Sequence, residues 1–124
     1  DVNIISEYTT NLTGGVHNVF IYEDHVYALS NGERFYVINI EDPSNPYEVG
    51  MFEIGEKGQA IHDVWVEDGI AYTSNWKHGV YIIDVGNGVA GGSPSNPVVI
   101  SNYSYYGDIS SINILLLHKV ILRI

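Results

Sequence analysis

The chain has 124 residues, a length suited to one domain, with 45% hydrophobic residues and a formal net charge of −10. That acidity argues against nucleic acid, whose phosphates are met by Lys and Arg, and reads either as a solubility device or as a draw for a cation or a basic partner. With no Cys, disulfides and thiolate metal sites are excluded, and no apolar run exceeds the four residues seen, for example, at 114–117, far short of the roughly 18 residues of a membrane span.

Ten Tyr, two Trp and thirteen Gly favour strands and turns over helices. No signal peptide is visible at the start, where Asp1 falls inside a pattern. Ile5-Ser6-Glu7-Tyr8 resembles the later Ile100-Ser101-Asn102-Tyr103, so residues 1–13 are expected to be the last strand of a preceding unit. The chain then repeats itself. His17-Asn18-Val19-Phe20-Ile21 returns as His62-Asp63-Val64-Trp65-Val66, and the match runs without a gap to Ile40 and Val85. Tyr27, Tyr36 and Ile38 meet Tyr72, Tyr81 and Ile83 as identities.

First strands are expected over residues 16–22 and 61–67. Glu23-Asp24 and Asp68-Gly69 follow as tight turns, since Asp and Gly tolerate the positive φ that hairpins need. Second strands fall at 25–30 and 70–75, then the polar loops Asn31-Gly32-Glu33 and Trp76-Lys77-His78. Third strands at 35–40 and 80–85 are nearly continuous apolar sequence, as expected of strands covered on both faces. Asp42-Pro43-Ser44-Asn45-Pro46 breaks the first repeat. Ser93-Pro94-Ser95-Asn96-Pro97 breaks the second, after a Gly-rich insertion of six residues within 86–92. Pro has no N–H to give a ladder, so these motifs separate strands, and fourth strands follow at 47–54 and 98–103. Beyond Asp108 the acidic residues vanish, four of the six Leu appear, and Ile112 stands near where the repeat wants a His. Residues 108–124 are expected to be a partial or aberrant third-unit hairpin. The switch in composition suggests a truncated or frame-shifted reading end, the alternative being a degenerate edge hairpin.

Four short strands in every 40–50 residues are the mark of a β-propeller blade. The expected fold is all-β: a β-propeller fragment of about two four-stranded antiparallel blades, residues 14–58 and 59–107, with partial flanking blades at 1–13 and 108–124. Blades bury their faces only against neighbours. The outer faces of the two terminal units are therefore expected to be bare, and the isolated chain to be marginal, to aggregate, or to pair through strand edges.

Gly79-Val80-Tyr81-Ile82-Ile83-Asp84-Val85, with His62-Asp63-Val64 before it and Pro94-Ser95-Asn96-Pro97 after it, resembles the LVIVD repeat. Residues 34–40 match it less closely, with Asn39 where the motif usually carries Asp. The resemblance covers roughly residues 14–105. It implies β-propeller modules of bacterial and archaeal surface or secreted proteins, hence an extracellular or cell-surface location. It brings no catalytic residues to this chain.

His17 and His62 are the candidate metal ligands. Equivalent first-strand positions point toward one central channel in a closed ring, and converging imidazoles there suit a transition metal. Two ligands are fewer than a metal site typically wants, so a structural hydrogen bond between strands or blades is the favoured role for each. Asp63, Asp68 and Asp84, recurring with Asn18, Asp24 and Asn39, are read as turn-closing residues. Calcium would need six to eight oxygens, and no EF-hand or calcium β-roll spacing is present. No Gly-x-Ser-x-Gly elbow marks a hydrolase. Trp76 and Tyr106 lie in loops without a repeat counterpart and are the candidate ligand-binding aromatics. The repeating aromatics Phe20, Trp65, Tyr27, Tyr72, Tyr36 and Tyr81 are expected to pack blade on blade.

The function expected is therefore a non-catalytic repeat segment of an exported or cell-surface propeller, acting as scaffold or as a protein or glycan interaction module. Its first partners are neighbouring blades of the same parent chain. No cofactor is expected, nor nucleic acid, nor a membrane span in this segment. The alternative is a fragment of an exported propeller oxidoreductase or hydrolase with a His-bound metal in its channel.

Overall fold

Apolar side chains at strand spacing, punctuated by Gly and Pro, divide each repeat into four strands. The computed structural model describes residues 1–55, 61–76 and 78–104. The first repeat forms β1 (Val16–Tyr22), β2 (His25–Ser30), β3 (Arg34–Asn39) and β4 (Tyr47–Glu53). The second forms β5 (Ile61–Glu67), β6 (Ile70–Asn75), β7 (Gly79–Asp84) and β8 (Val98–Tyr103). Strands pair in the orders β1-β2-β3-β4 and β5-β6-β7-β8, every pair antiparallel. The result is two four-stranded meanders, all-β and consistent with propeller blades. The expected hairpin over residues 108–124 lies outside the described residues.

The turns obey the expected chemistry in the second repeat more than in the first. Asp68 and Gly69 both take positive φ (49° and 71°), the conformation of a type I′ hairpin turn. In the first repeat Glu23 holds the same left-handed conformation at φ 51°, without the help that Gly or Asn would give. The third strands begin and end one residue earlier than expected. Arg34 joins the ladder opposite Ser30 and Glu53, its guanidinium 3.0 Å from the Glu53 carboxylate. At the other end, Ile40 and Val85 donate their N–H groups to Asp24 O (2.8 Å) and Gly69 O (2.9 Å), beside the hairpin turns rather than within a strand.

Both sheets carry the same two bulges. The β1–β2 register shifts between Val16 and Asn18, and the β5–β6 register between Ile61 and Asp63, so each bulge falls on a His. On the outer side the β3–β4 register shifts between Val37 and Ile38, and the β7–β8 register between Ile82 and Ile83. A bulge re-aims the side chains around it and adds twist, and its recurrence shows that the two repeats share more than sequence pattern.

The core lies between the sheets. Tyr27, Leu29, Phe35, Val37 and Phe52 of the first sheet close on Ile61, Val64, Val66, Ala71 and Ile83 of the second, all buried. Rings carry the contact across: Tyr27 to Phe35 at 5.8 Å, Phe35 to Phe52 at 5.4 Å, and Phe52 to Tyr81 at 6.4 Å between centroids. The two sheets meet through unlike faces. Tyr81 and Ile83 face the first sheet, whereas their repeat counterparts Tyr36 and Ile38 look the other way, into a smaller cluster with Ala28.

That outer cluster is not bare, as the repeat alone led one to expect. Tyr8 and Leu12 pack against it, and Ser6 Oγ donates to Pro43 O (2.6 Å) while Asn11 Nδ2 donates to Glu48 Oε2 (2.9 Å). Residues 1–13 contain no strand, in contrast to the expectation from their likeness to residues 100–103. A strand at that place needs a neighbouring strand to ladder with, and the described residues bring none alongside. Coverage of the outer face is partial: Val19 and Ile21 of β1 remain 50% and 61% exposed.

Candidate functional site

β1 and β5 run against each other at the junction of the sheets. Because the repeats share register, residues meet their own counterparts along this seam. His17 faces His62, Asn18 bonds Asp63, and Phe20 packs on Trp65 at 4.7 Å between centroids. Asn18 Nδ2 donates to Asp63 Oδ1 at 2.5 Å, across 45 residues of chain. Each of these two side chains also accepts the next backbone N–H, Val19 N to Asn18 Oδ1 (2.8 Å) and Val64 N to Asp63 Oδ1 (2.9 Å). The Asn/Asp pair therefore clamps sheet to sheet while it satisfies the backbone beside each bulge.

The imidazoles stand above this clamp. Their ring centroids are 5.1 Å apart and the planes are tilted by 58°. Trp76, in the turn after β6, meets His62 edge-on at 5.0 Å. The three side chains border an open cavity of about 360 Å³ whose remaining wall includes Gly14, Gly15 and Asn31. Gly14 takes φ +84°, and a Cβ there would stand 2.8 Å from Asn31 Oδ1, so a side chain at this position would crowd the wall. Three of the four residues singled out from sequence thus converge on one cavity. The fourth, Tyr106, lies outside the described residues. Among the described residues the hydrogen bond expected for each His is not seen, and each imidazole has ring contacts instead. Each His sits at the bulge of its first strand, and its ring lies against its counterpart on the neighbouring sheet.

At the other end of the sheets, Asp84 organises the inserted loop. It is fully buried, and its Oδ1 accepts N–H groups from Gly86 (3.1 Å) and Gly88 (3.0 Å). Its Oδ2 accepts from Ala90 (2.7 Å) and Gly92 (3.0 Å). Burial alone would push this carboxyl up, but the four backbone N–H donors outweigh it and hold Asp84 well below the usual carboxylate range. Gly92 is required for the fit: a Cβ there would lie 2.1 Å from Asp84 O. Asn39, the counterpart in the first repeat, makes only the short form of this bond, accepting Glu41 N at 3.0 Å. The turn-closing role read from sequence for Asn39 and Asp84 matches this geometry. The wider cradle escaped that reading, although its signal is visible as an Asp followed by Gly at 86, 88, 91 and 92.

Among the described residues no group of three or more His, Cys, Asp and Glu side chains is placed to hold a metal ion. No helix is long and apolar enough to cross a membrane among those residues. A family model described as the LVIVD repeat matches the chain twice, over residues 13–53 and 57–105. Neither the curated proteins nor the solved structures contain a match to it.

Proposed function

Because the chain belongs to the LVIVD repeat family, we propose that it serves as a non-catalytic scaffold and interaction segment of an exported or cell-surface protein, stacked in its parent on further blades of the same kind. One observation carries this reading. Val64 and Val66 are each 2% exposed where the second sheet meets the first, while the same repeat positions in the first sheet, Val19 and Ile21, are 50% and 61% exposed. The first sheet therefore presents, still largely open, the face by which the second sheet is already docked.

The chemistry fits. Completing the burial of Val19 and Ile21 offers roughly 1.5–3 kcal/mol in total, taking about half of a full side-chain transfer for each. A groove of about 400 Å³ runs along this face, with Leu12, Val16, Val26 and Ile38 in its walls. The recurring polar residues serve the architecture: Asn18 and Asp63 clamp the sheets, and Asn39 and Asp84 close turns. The cavity beside Trp76 is the surface we assign to a protein or glycan ligand.

Sedimentation velocity over the micromolar range tests the stacking. The full chain should self-associate with rising concentration, and Ile21→Lys should weaken that association at least several-fold. A chain that stays monomeric throughout, or an Ile21→Lys variant that associates as well as the parent, overturns the reading.

A further inference from the structure

We propose that His17 and His62 together bind a first-row transition-metal cation of the Zn²⁺, Ni²⁺ or Cu²⁺ class, at the mouth of the cavity they share with Trp76. Three independent observations point to this. The same bulge recurs at both His, and the two imidazoles, from different sheets, lie against each other. Their centroids are 5.1 Å apart at a tilt of 58°, which is not a stacked pair. Bonds of about 2.05 Å from one ion to a nitrogen of each ring, at a tetrahedral angle, place ring centres about 5 Å apart. Finally, neither imidazole is engaged by a hydrogen bond among the described residues, so the lone pairs that a cation needs are not committed elsewhere.

The surroundings suit a cation with an open coordination sphere. The cavity of about 360 Å³ leaves room for waters or for a donor atom of a bound molecule beside the two nitrogens. A formal charge of −10 raises the local concentration of cations around the chain. Imidazole is a borderline ligand, so the site selects Zn²⁺, Ni²⁺ and Cu²⁺ over Ca²⁺ and Mg²⁺, which prefer oxygen. The inference stands apart from the stacking of further blades, because the ligands and the cavity lie within this chain.

Trp76 provides the readout, since its ring touches His62 and paramagnetic Cu²⁺ or Ni²⁺ quenches a neighbouring indole. The metal-free full chain is titrated with CuCl₂ and NiCl₂ by fluorescence, and with ZnCl₂ by calorimetry. The expected result is saturable binding of one ion per chain, with Zn²⁺ reversing the quench and CaCl₂ without effect. His17→Ala and His62→Ala should each lower the affinity on the order of tenfold or more. His17→Phe keeps a ring against His62 but offers no nitrogen, so it should lose the affinity while its circular dichroism stays that of the parent. His25→Ala, at the far end of the first sheet, should bind as the parent does. Absence of saturable binding, or binding that survives His17→Phe, or loss only in His25→Ala, overturns the proposal.

Discussion

Phe35→Ala tests whether the two sheets are one cooperative unit. Phe35 is fully buried, and its ring packs against Tyr27 at 5.8 Å and Phe52 at 5.4 Å. Truncation of a buried Phe to Ala costs about 3–5 kcal/mol, within which each lost ring contact accounts for roughly 0.5–1.5 kcal/mol. That is a large share of the 5–15 kcal/mol typical of a folded domain, and at about 3–5 °C per kcal/mol it lowers Tm by about 10–25 °C. Both tryptophans, Trp65 and Trp76, belong to the second repeat, whereas Phe35 lies in the first. Urea unfolding followed by tryptophan emission therefore reports on the second sheet and, through Trp65 against Phe20, on its junction with the first, while far-UV circular dichroism reports on both sheets throughout. If the buried rings join the sheets into one core, the two signals move together to the lower midpoint. Circular dichroism falling in two steps, with a second tryptophan transition left at the parent midpoint, would refute the reasoning, since each sheet would then be unfolding alone. Val19→Ala, at a half-exposed position, is the control and should change stability by no more than about 0.5 kcal/mol.

Two further outcomes follow from the turns. Glu23→Asn should stabilise the chain by about 0.5–1 kcal/mol, because Asn accepts the left-handed φ of 51° more readily than Glu; thermal melting checks the sign. Asp84 binds its proton more weakly in the folded chain than in the unfolded one, so its contribution is complete above about pH 4 and is lost as the pH falls through its lowered native pKa. Stability measured from pH 6 downward should therefore decline below about pH 4, and Asp84→Asn should be less stable at pH 6 with a flatter acid limb.

Much of this architecture was legible because its signals are local. Apolar runs between turn residues located the eight described strands, with bounds shifted by a single residue only where Arg34 and Gly79 join the ladder and where Ile40, Ile54 and Val85 leave it. The repeat also brought His17 and His62 to equivalent places, from which their meeting could be foreseen. Their lack of hydrogen bonds among the described residues could not, because it depends on which side chains the fold brings beside each ring. The Asn18–Asp63 bond was hidden for a related reason: it joins unlike residues at like positions, and an alignment records that pair as a substitution rather than a contact. Tyr8 and Leu12 covering the first sheet's outer cluster was equally out of reach. Sequence likeness to a last strand specifies a hydrogen-bonding habit, whereas the segment settles on whatever surface its chain supplies.

The meander order has a kinetic corollary. Every ladder in both sheets joins strands that follow one another in the chain. Closing such short loops costs little entropy, so the hairpins can zip early, one after the next, and docking of sheet on sheet is left as the late, long-range event. On a ribosome the first repeat emerges whole before the second, and forms its ladders while Tyr27, Leu29, Phe35 and Val37 still face solvent. For that interval a nascent chain displays a sticky apolar wall. The second repeat, some 45 residues behind, is the stopper that closes it.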